Sequence, residues 1–255
     1  MKKTKGCIYY TDNRLNEPMK SLVQKHIKAS GLPIVSTSLK PIDFGKNIVL
    51  ENRERSYPTM ALQIYTALEN LDTDYVFFCE HDVLYPKSHF EFTPKEDNVF
   101  YYNANVWRWW ISGDKAIRYD GMLPLSCLCV NRKFALEHYK MRMDKIKEWK
   151  LDEIRSREPR WARLWGYEPG RKKKRRGGFT DDESDTWYSE DPVIDIRHDN
   201  TFSRLKCTQA DFKNQPTGWT EININEIKVW NLASLFPYER QHQIRGMESH
   251  QKDKG

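Results

Sequence analysis

In the stretch Tyr75-Val76-Phe77-Phe78-Cys79-Glu80-His81-Asp82, a short apolar run leads directly into three ionisable residues. The apolar part is rich in aromatic residues and has the length of a buried β-strand. Glu80 and Asp82 are two positions apart, so on an extended chain both carboxylates leave from the same side. In an open α/β sheet, ligands bind in the crevice beyond the carboxyl ends of the strands. The stretch therefore predicts a strand that delivers two carboxylates to a ligand site, and the alternative is a solvated acidic turn.

Two carboxylates at the end of a buried strand suit a particular kind of ligand. Hard oxygen donors are the preferred ligands of Mg²⁺ and Mn²⁺. These cations in turn bind the oxygens of a diphosphate, whose charge they neutralise. We therefore expect Mn²⁺ or Mg²⁺ with a diphosphate-bearing ligand at Glu80 and Asp82.

The composition is that of a globular domain with an aromatic core. The chain has 255 residues, of which 38% are hydrophobic and 13% aromatic. No stretch approaches the roughly 20 apolar residues of a membrane span, and the apolar run after residues 1–6 is too short for a signal peptide. Of the five cysteines, Cys7, Cys79 and Cys129 fall in apparent strands. We expect them to be reduced core thiols of a cytoplasmic protein.

The positive charge is concentrated in one segment, Arg171-Lys172-Lys173-Lys174-Arg175-Arg176. The net charge is +6, and without these residues the chain carries 36 basic against 36 acidic side chains. Six like charges repel one another, so the run is expected to be a mobile loop. It is either a solvated insertion or a contact for the phosphates of a nucleic acid or nucleotide.

The first 82 residues alternate between strand and helix patterns. Asn16 is placed to cap the first helix, with Pro18 in its first turn. The second helix is expected over 58–71, and the strands before the acidic triplet over 7–10, 33–39 and 47–50. Such alternation predicts an α/β fold with a mostly parallel sheet and helices on both faces.

The alternation of strand and helix patterns stops after Asp82. Aromatic strands are expected over 99–104 and 106–111, and a turn at Ser112-Gly113-Asp114 predicts an antiparallel hairpin with 116–119. Further along, the patterns indicate a strand over 126–130, a charged helix from Arg132 past Trp149, loops over 155–186 and a short strand over 193–196. The later tail is less regular.

Three parts of the chain together resemble a known group of enzymes. They are the strand–helix opening, the triplet Glu80-His81-Asp82 and the later Ile194-Asp195-Ile196-Arg197-His198. These resemble nucleotide-sugar-dependent glycosyltransferases of the GT-A fold, with family-2-like members the most similar. The triplet takes the place of their D-x-D element, with Glu80 in the first acidic position instead of Asp. The resemblance covers most of residues 6–206.

This resemblance implies a Rossmann-like, mostly parallel sheet flanked by helices, with an added antiparallel hairpin region. It also implies a division of the chain into two parts. Residues 1–206 form the catalytic domain, and residues 207–255 form a C-terminal extension that packs on it. The last residues of the extension are expected to be disordered.

The resemblance further implies a metal site built from two distant parts of the chain. Asp82 binds the cation directly, and His198 completes its shell, since neutral imidazole accepts first-row divalent cations. Glu80 acts through water or contacts the ribose–sugar part of the donor. Arg197 or Arg204 shares the charge of the diphosphate, because guanidinium groups suit phosphate oxygens. The alternatives are an ordinary loop histidine at His198 and a surface ion-pair partner at Arg197.

The nucleoside end of the donor is implied to lie near the first two strands. Thr11 and Asp12 follow strand one, and Asp43 lies in the loop after strand two. By the resemblance, all three contact the nucleoside. For each of them the alternative is ordinary turn chemistry at a strand end.

Transfer with inversion also needs a carboxylate that takes the proton of the acceptor hydroxyl. The resemblance places it in the acidic segment before the last strand, where we favour Asp181 and Asp185, with Glu190-Asp191 in reserve. The alternative is an acidic loop that balances the basic run. The tryptophans of 107–110 either pack in the core or form a stacking wall for a sugar or a base.

The expected function is that of a metal-dependent glycosyltransferase with a UDP-sugar as donor. Its acceptor is a glycan, or modified DNA such as hydroxymethylated pyrimidines, held by the basic run 171–176. Two other functions stay open. One is a non-catalytic nucleic-acid-binding module on a degenerate α/β scaffold, and the other is a nucleotidyltransferase, which shares the carboxylate, metal and diphosphate chemistry.

Overall fold

Two β-sheets form the framework of the computed structural model, which describes residues 3–151, 168–170, 183–203 and 206–235. The strands are β1 (Lys5–Thr11), β2 (Ile34–Ser38), β3 (Lys46–Val49), β4 (Tyr75–Glu80), β5 (Val83–Leu84), β6 (Val99–Asn103), β7 (Val106–Trp110), β8 (Lys115–Arg118), β9 (Leu128–Asn131), β10 (Glu183–Trp187), β11 (Val193–Arg197) and β12 (Thr220–Asn223). The helices are α1 (Met19–Lys28), α2 (Tyr57–Asn70), α3 (Arg132–Glu148) and the short α4 (Leu232–Leu235). The basic run, Asp181, Arg204 and the last residues lie outside the described parts.

The larger sheet has seven strands in the order β10-β6-β9-β4-β1-β2-β3. Strands β3, β2, β1 and β4 are parallel, β9 is antiparallel to both of its neighbours, and β6 and β10 are parallel to each other. This confirms the α/β fold with a mainly parallel sheet, and the arrangement is consistent with the Rossmann-like GT-A fold.

Alternate residues of the central strands face opposite layers. Cys7 and Tyr9 of β1 belong to the apolar cluster that contains the buried side of α1 and much of the smaller sheet. Ile8 and Tyr10 belong to the cluster formed with α2 and α3. This is the two-residue period of a strand buried on both faces. Cys7, Cys79 and Cys129 lie in strands as expected, and each is a buried free thiol.

The smaller sheet has five strands in the order β12-β8-β7-β11-β5. Strands β7 and β8 form the antiparallel hairpin that the sequence predicts. Strand β11 runs parallel to β7 and antiparallel to β5. Because β5 begins directly after Asp82, this last pairing brings the end of β11 back to the end of β4.

Three local features differ from the sequence-based expectation. The side chain of Asn16 does not cap α1, which has Pro18 at its N-cap position. Helix α3 ends at Glu148, with Trp149 as the capping residue. Residues 183–187, expected to be a loop, form the edge strand β10 because pairing with β6 supplies backbone hydrogen bonds that a solvated loop lacks.

The part of the chain after residue 206 contributes to the same framework. Strand β12 pairs with β8, and Ile224, Trp230 and Leu232 are buried in the cluster of α1. The boundary between 206 and 207 stays a prediction about folding units. Within the described parts of the chain, no helix has both the length and the apolar composition that crossing a bilayer requires.

Candidate metal and nucleotide site

The carboxyl ends of β1 and β4 lie side by side and position the acidic triplet. Tyr10 is in register with Glu80 in this parallel pair. Thr11 and Asp12 therefore emerge from the sheet next to His81 and Asp82. This is the edge at which open α/β sheets bind ligands. Local sequence forms each strand, and the parallel pairing brings their polar ends together.

His198 joins this edge from the end of β11. The backbone N–H of Ile196 donates to the carbonyl of Asp82 at 3.0 Å, and Asp195 is in register with Val83 of β5. The two residues that follow Ile196 are Arg197 and His198. The antiparallel pairing with β5 therefore carries His198 to Asp82, which is more than a hundred residues earlier in the chain.

His81, Asp82 and His198 form a cluster with the donor set of a cation site. One ligand atom from each lies within 4.8 Å of the other two. The Nε2 atom of His198 lies 3.6 Å from Oδ2 of Asp82, which is longer than a hydrogen bond. This Nε2 atom of His198 is buried and has no hydrogen-bond partner among the described residues. A buried nitrogen left in this way is costly, and a divalent cation held between these groups would satisfy it. Two imidazoles and a carboxylate fit Mn²⁺ better than Mg²⁺, which prefers oxygen ligands.

Thr11 and Asp12 orient the ring of His81. The Nδ1 atom of His81 lies 2.8 Å from Oγ1 of Thr11 and 3.9 Å from Oδ1 of Asp12. Two oxygens on this side favour a proton on Nδ1, which leaves the lone pair of Nε2 for a cation. The oxygen of Thr11 also accepts a hydrogen bond from the backbone of Asn13. In this structure Thr11 thus positions His81, and its contact with a nucleoside stays a prediction.

The two carboxyl groups of the triplet differ in protonation. Burial and the negative charge of Asp82 raise the pKa of Glu80 to about 8, although the hydroxyl of Tyr10 donates a hydrogen bond to Glu80 at 2.8 Å. Burial also opposes ionisation of Asp82. The contact with His198 and the positive charges nearby outweigh it and lower the pKa of Asp82 to about 2. Asp82 is therefore the anion of the pair, and Glu80 keeps its proton through neutral pH.

We expect Glu80→Gln to remove a pH-dependent loss of stability from the metal-free protein. The folded state raises the pKa of Glu80 from 4.5 to about 8, so it binds the proton more tightly than the unfolded chain. The parent should lose stability as the pH rises between these two values. Between about pH 6 and about pH 8 the loss should be on the order of 2 kcal/mol, or roughly 4–8 °C in melting temperature. Glutamine does not ionise and should show no such loss.

The measurement is the melting temperature across this pH window in the presence of a chelator. Glu91→Gln, at an exposed glutamate, is the matched control and should follow the parent. Parallel curves for the parent and Glu80→Gln would show that Glu80 is already ionised at neutral pH.

Arg55 connects the two halves of the site. Its Nε atom lies 2.6 Å from Oδ2 of Asp12, and an Nη atom donates to the carbonyl of Asn200 at 2.5 Å. The guanidinium also lies over the ring of Phe202, 4.7 Å from its centre. Arg55 therefore ties the loop after β1 to the segment that follows His198. Sequence reasoning missed it, since an arginine in the polar stretch before a helix carries no distinguishing pattern.

A buried ionic network lies behind His198. Oδ2 of Asp195 accepts hydrogen bonds from Arg108 at 3.0 Å and from Arg197 at 2.9 Å. Arg108 also donates to the hydroxyl of Tyr119 at 3.2 Å. Two guanidinium groups share one carboxylate, so the network keeps a positive charge beside the metal cluster, where an anion such as a diphosphate is favoured. Arg108 and Asp195 were missed because only the register of β7 with β11 pairs them.

The remaining predicted residues lie further from the cluster or outside the described parts. Asp43 is exposed on the loop between β2 and β3. The side chain of Asn13 accepts hydrogen bonds from the backbone of residues 39 and 40, which ties the start of that loop to the end of β1. Asp185 is exposed on β10, which β6 and β9 separate from β4. The structure does not bring Asp185 to the metal cluster, and Asp181 is not described. Their roles stay predictions.

No protein-family model and no curated protein matches this chain. Among solved structures, it is similar to a glycosyltransferase involved in the glycosylation of the major capsid of PBCV-1, at 11% identity and a TM-score of 0.37, over 57% of this chain and 68% of that one. The glycosyltransferase GlyE of Streptococcus pneumoniae TIGR4 has 13% identity and a TM-score of 0.38, over 57% and 39% of the two chains. The bifunctional IspDF of Campylobacter jejuni has 14% identity and a TM-score of 0.36, over 55% and 44%. The matched regions thus cover less than half of the last two proteins, and at these scores the likeness identifies no activity for this chain.

Proposed function

We propose that this chain is a metal-dependent glycosyltransferase that moves a sugar from a nucleotide-sugar donor, in the first instance a UDP-sugar, to an acceptor hydroxyl. The observation that carries the proposal is the cluster of His81, Asp82 and His198 at the carboxyl end of β4. It lies where α/β sheets bind nucleotides. Its carboxylate and imidazole donors fit a first-row divalent cation, which binds a diphosphate.

The side chains around the cluster have separate roles in this proposal. A cation held by His81, Asp82 and His198 would neutralise the charge that develops on the leaving diphosphate. Arg197 adds positive charge beside the cluster, where its ion pair with Asp195 holds the guanidinium in place. Glu80 is protonated at neutral pH and so donates a hydrogen bond to an oxygen of the donor, which an ionised carboxylate cannot do.

The nucleoside and the acceptor proton are assigned to other groups. In the proposal, Asp12 and Asp43 bind the nucleoside from the loops after β1 and β2. The base that takes the acceptor proton is Asp181 or Asp185. The acceptor is a glycan or modified DNA, and the run 171–176 would hold DNA through its phosphates.

The first test is a calorimetric titration with UDP in the presence of Mn²⁺ and in the presence of a chelator. We expect binding that requires the metal. His198→Ala should weaken metal-assisted binding at least about tenfold, because it removes one of three cation ligands. Its melting temperature without ligand should stay close to that of the parent. Asp199→Asn, at the exposed neighbouring residue, is the matched control. If His198→Ala binds Mn²⁺ and UDP like the parent, His198 is not a ligand.

The products of donor turnover separate the proposal from its alternatives. Incubation with UDP-sugars and Mn²⁺ should release UDP and free sugar. Release of pyrophosphate from a nucleoside triphosphate and a sugar phosphate would instead identify a nucleotidyltransferase. Metal-independent DNA affinity that falls steeply with salt, without turnover of any donor, would identify a nucleic-acid-binding module.

A further inference from the structure

A cavity of about 360 Å³ lies apart from the metal cluster, beside the β7–β8 hairpin. None of His81, Asp82 or His198 lines it. Its walls come from the start of β7, from the end of β8 with the turn that follows it, from Tyr188 and from the β12 segment. Its size is in the range of small-molecule sites.

Aromatic side chains form much of its wall. Trp107 of β7 lines it, whereas Trp109, on the same face of the strand, is fully buried in the core. Tyr119 lines it and stacks on Trp219, with ring centres 5.9 Å apart and planes 7° from parallel. Tyr188 is 67% exposed, and the only other exposed large hydrophobic residue among the described ones is Val229, at 52%. An exposed aromatic ring at the mouth of a cavity indicates a surface for stacking.

The polar groups of the cavity are held in place. The guanidinium of Arg118 lies 5.4 Å from the centre of the Trp107 ring. The carboxylate of Asp120 accepts a hydrogen bond from the hydroxyl of Thr217 at 2.9 Å. A side chain at Gly218, whose φ is +63°, would collide with that carboxylate. The left-handed φ favours glycine at this position, and the absence of a side chain there leaves room for the carboxylate at the cavity wall.

The charge of the lining selects the class of ligand. Arg118 and Asp120 are the only formally charged residues among the described ones that line the cavity, and their charges cancel. A polyanion such as DNA would meet no excess of positive charge there. Aromatic faces beside one donor and one acceptor suit a neutral, polyhydroxylated ring, whose C–H face stacks and whose hydroxyls form hydrogen bonds.

A chain of hydrogen bonds links this cavity to the metal cluster. The hydroxyl of Tyr119 accepts from Arg108, and both Arg108 and Arg197 bind Asp195. Arg197 directly precedes His198. The cavity wall and the candidate ligand His198 are thus attached to the same hydrogen-bonded network. From this geometry we propose that the cavity binds a neutral pyranose unit of the acceptor, which rests on the function proposed above.

The test uses a panel of methyl pyranosides, without nucleotide or metal, and detects binding by saturation-transfer NMR with the full chain. The parent should bind at least one glycoside of the panel. Tyr188→Ala should weaken that binding about tenfold, as expected for the loss of one stacking face. Tyr188→Phe keeps the ring and should stay within about twofold of the parent. Val229→Ala changes an exposed side chain that does not line the cavity and should bind like the parent.

Three outcomes would overturn the proposal. They are a parent that binds no glycoside, a Tyr188→Ala variant that binds like the parent, and a parent that binds single-stranded DNA through Tyr188 instead of glycosides. Because the assay contains no nucleotide or metal, it is independent of the titration with UDP and Mn²⁺. Glycoside binding without UDP binding would support the cavity and overturn the proposed transferase. UDP binding without glycoside binding would support the proposed transferase and overturn the proposed role of the cavity.

Discussion

Asp82→Asn is expected to abolish Mn²⁺-dependent binding of UDP and to lower metal-dependent donor turnover by at least about 100-fold. Asp82 is the only carboxylate of the three-residue cluster, and its lowered pKa, about 2, keeps it fully ionised at neutral pH. Asparagine keeps the shape of the side chain but removes its charge. Two imidazoles alone should hold a divalent cation weakly.

The same variant should change the titration of its neighbour. The charge of Asp82 is one of the causes that raise the pKa of Glu80. Without it, the pKa of Glu80 should fall toward its ordinary value, which carbon NMR of the labelled carboxyl group measures directly. A fall in this pKa together with lost metal binding would show that the two carboxyl groups share one site.

The stability of this variant has its own pH dependence. A lowered pKa at Asp82 means that the folded state favours the ionised form. This contribution is present above about pH 4 and is lost as the pH falls toward 2. Asp82→Asn should therefore be less stable than the parent at neutral pH, by on the order of 1–2 kcal/mol. Asp199→Asn is the control for both metal-dependent turnover and stability. Unchanged metal-dependent turnover in Asp82→Asn would overturn the assignment of Asp82 as a metal ligand.

Asp195→Asn is expected to cause the largest loss of stability among single changes at the site. Asp195 is buried and accepts hydrogen bonds from Arg108 and Arg197. Without its charge, the guanidinium groups of Arg108 and Arg197 remain in the interior without the carboxylate to which both of them donate. Breaking a buried ionic contact in this way costs about 3–5 kcal/mol. The midpoint of urea denaturation and the melting temperature measure the loss, and the latter should fall by roughly 10 °C.

A second substitution tests whether unpaired charge is the cause. Adding Arg108→Met to Asp195→Asn restores the net charge of the parent network and should recover part of the lost stability. The exposed pair of Lys115 and Glu221, 3.2 Å apart, is the control, and Glu221→Gln should cost less than about 1 kcal/mol. If Asp195→Asn costs no more than Glu221→Gln, the network does not stabilise the fold.

Much of the parallel sheet and the acidic strand end were predictable from local sequence. The apolar run 75–79 has the length and aromatic content of a buried strand, and the alternation before it predicts a parallel α/β sheet. Burial and period are local properties, so a single segment is enough to indicate them. The same holds for the β7–β8 hairpin, which a turn signal marks. These predictions agree with the structure because pattern and tertiary environment favour the same conformation.

The contacts within the site depend on tertiary structure. His198 reaches Asp82 because β11 pairs with β5. Arg108 contacts Asp195 because the parallel pairing of β7 with β11 places these two residues opposite each other. Arg55 meets Asp12 because the loop after β1 lies against the segment before α2. Strand β10 exists because β6 offers it a partner. Side-chain periodicity records which face of a strand is buried but not which distant strand lies beside it. The sequence by itself therefore determined the strand that ends in Glu80-His81-Asp82 and the sheet around it, whereas non-local strand pairing decided which residues meet there.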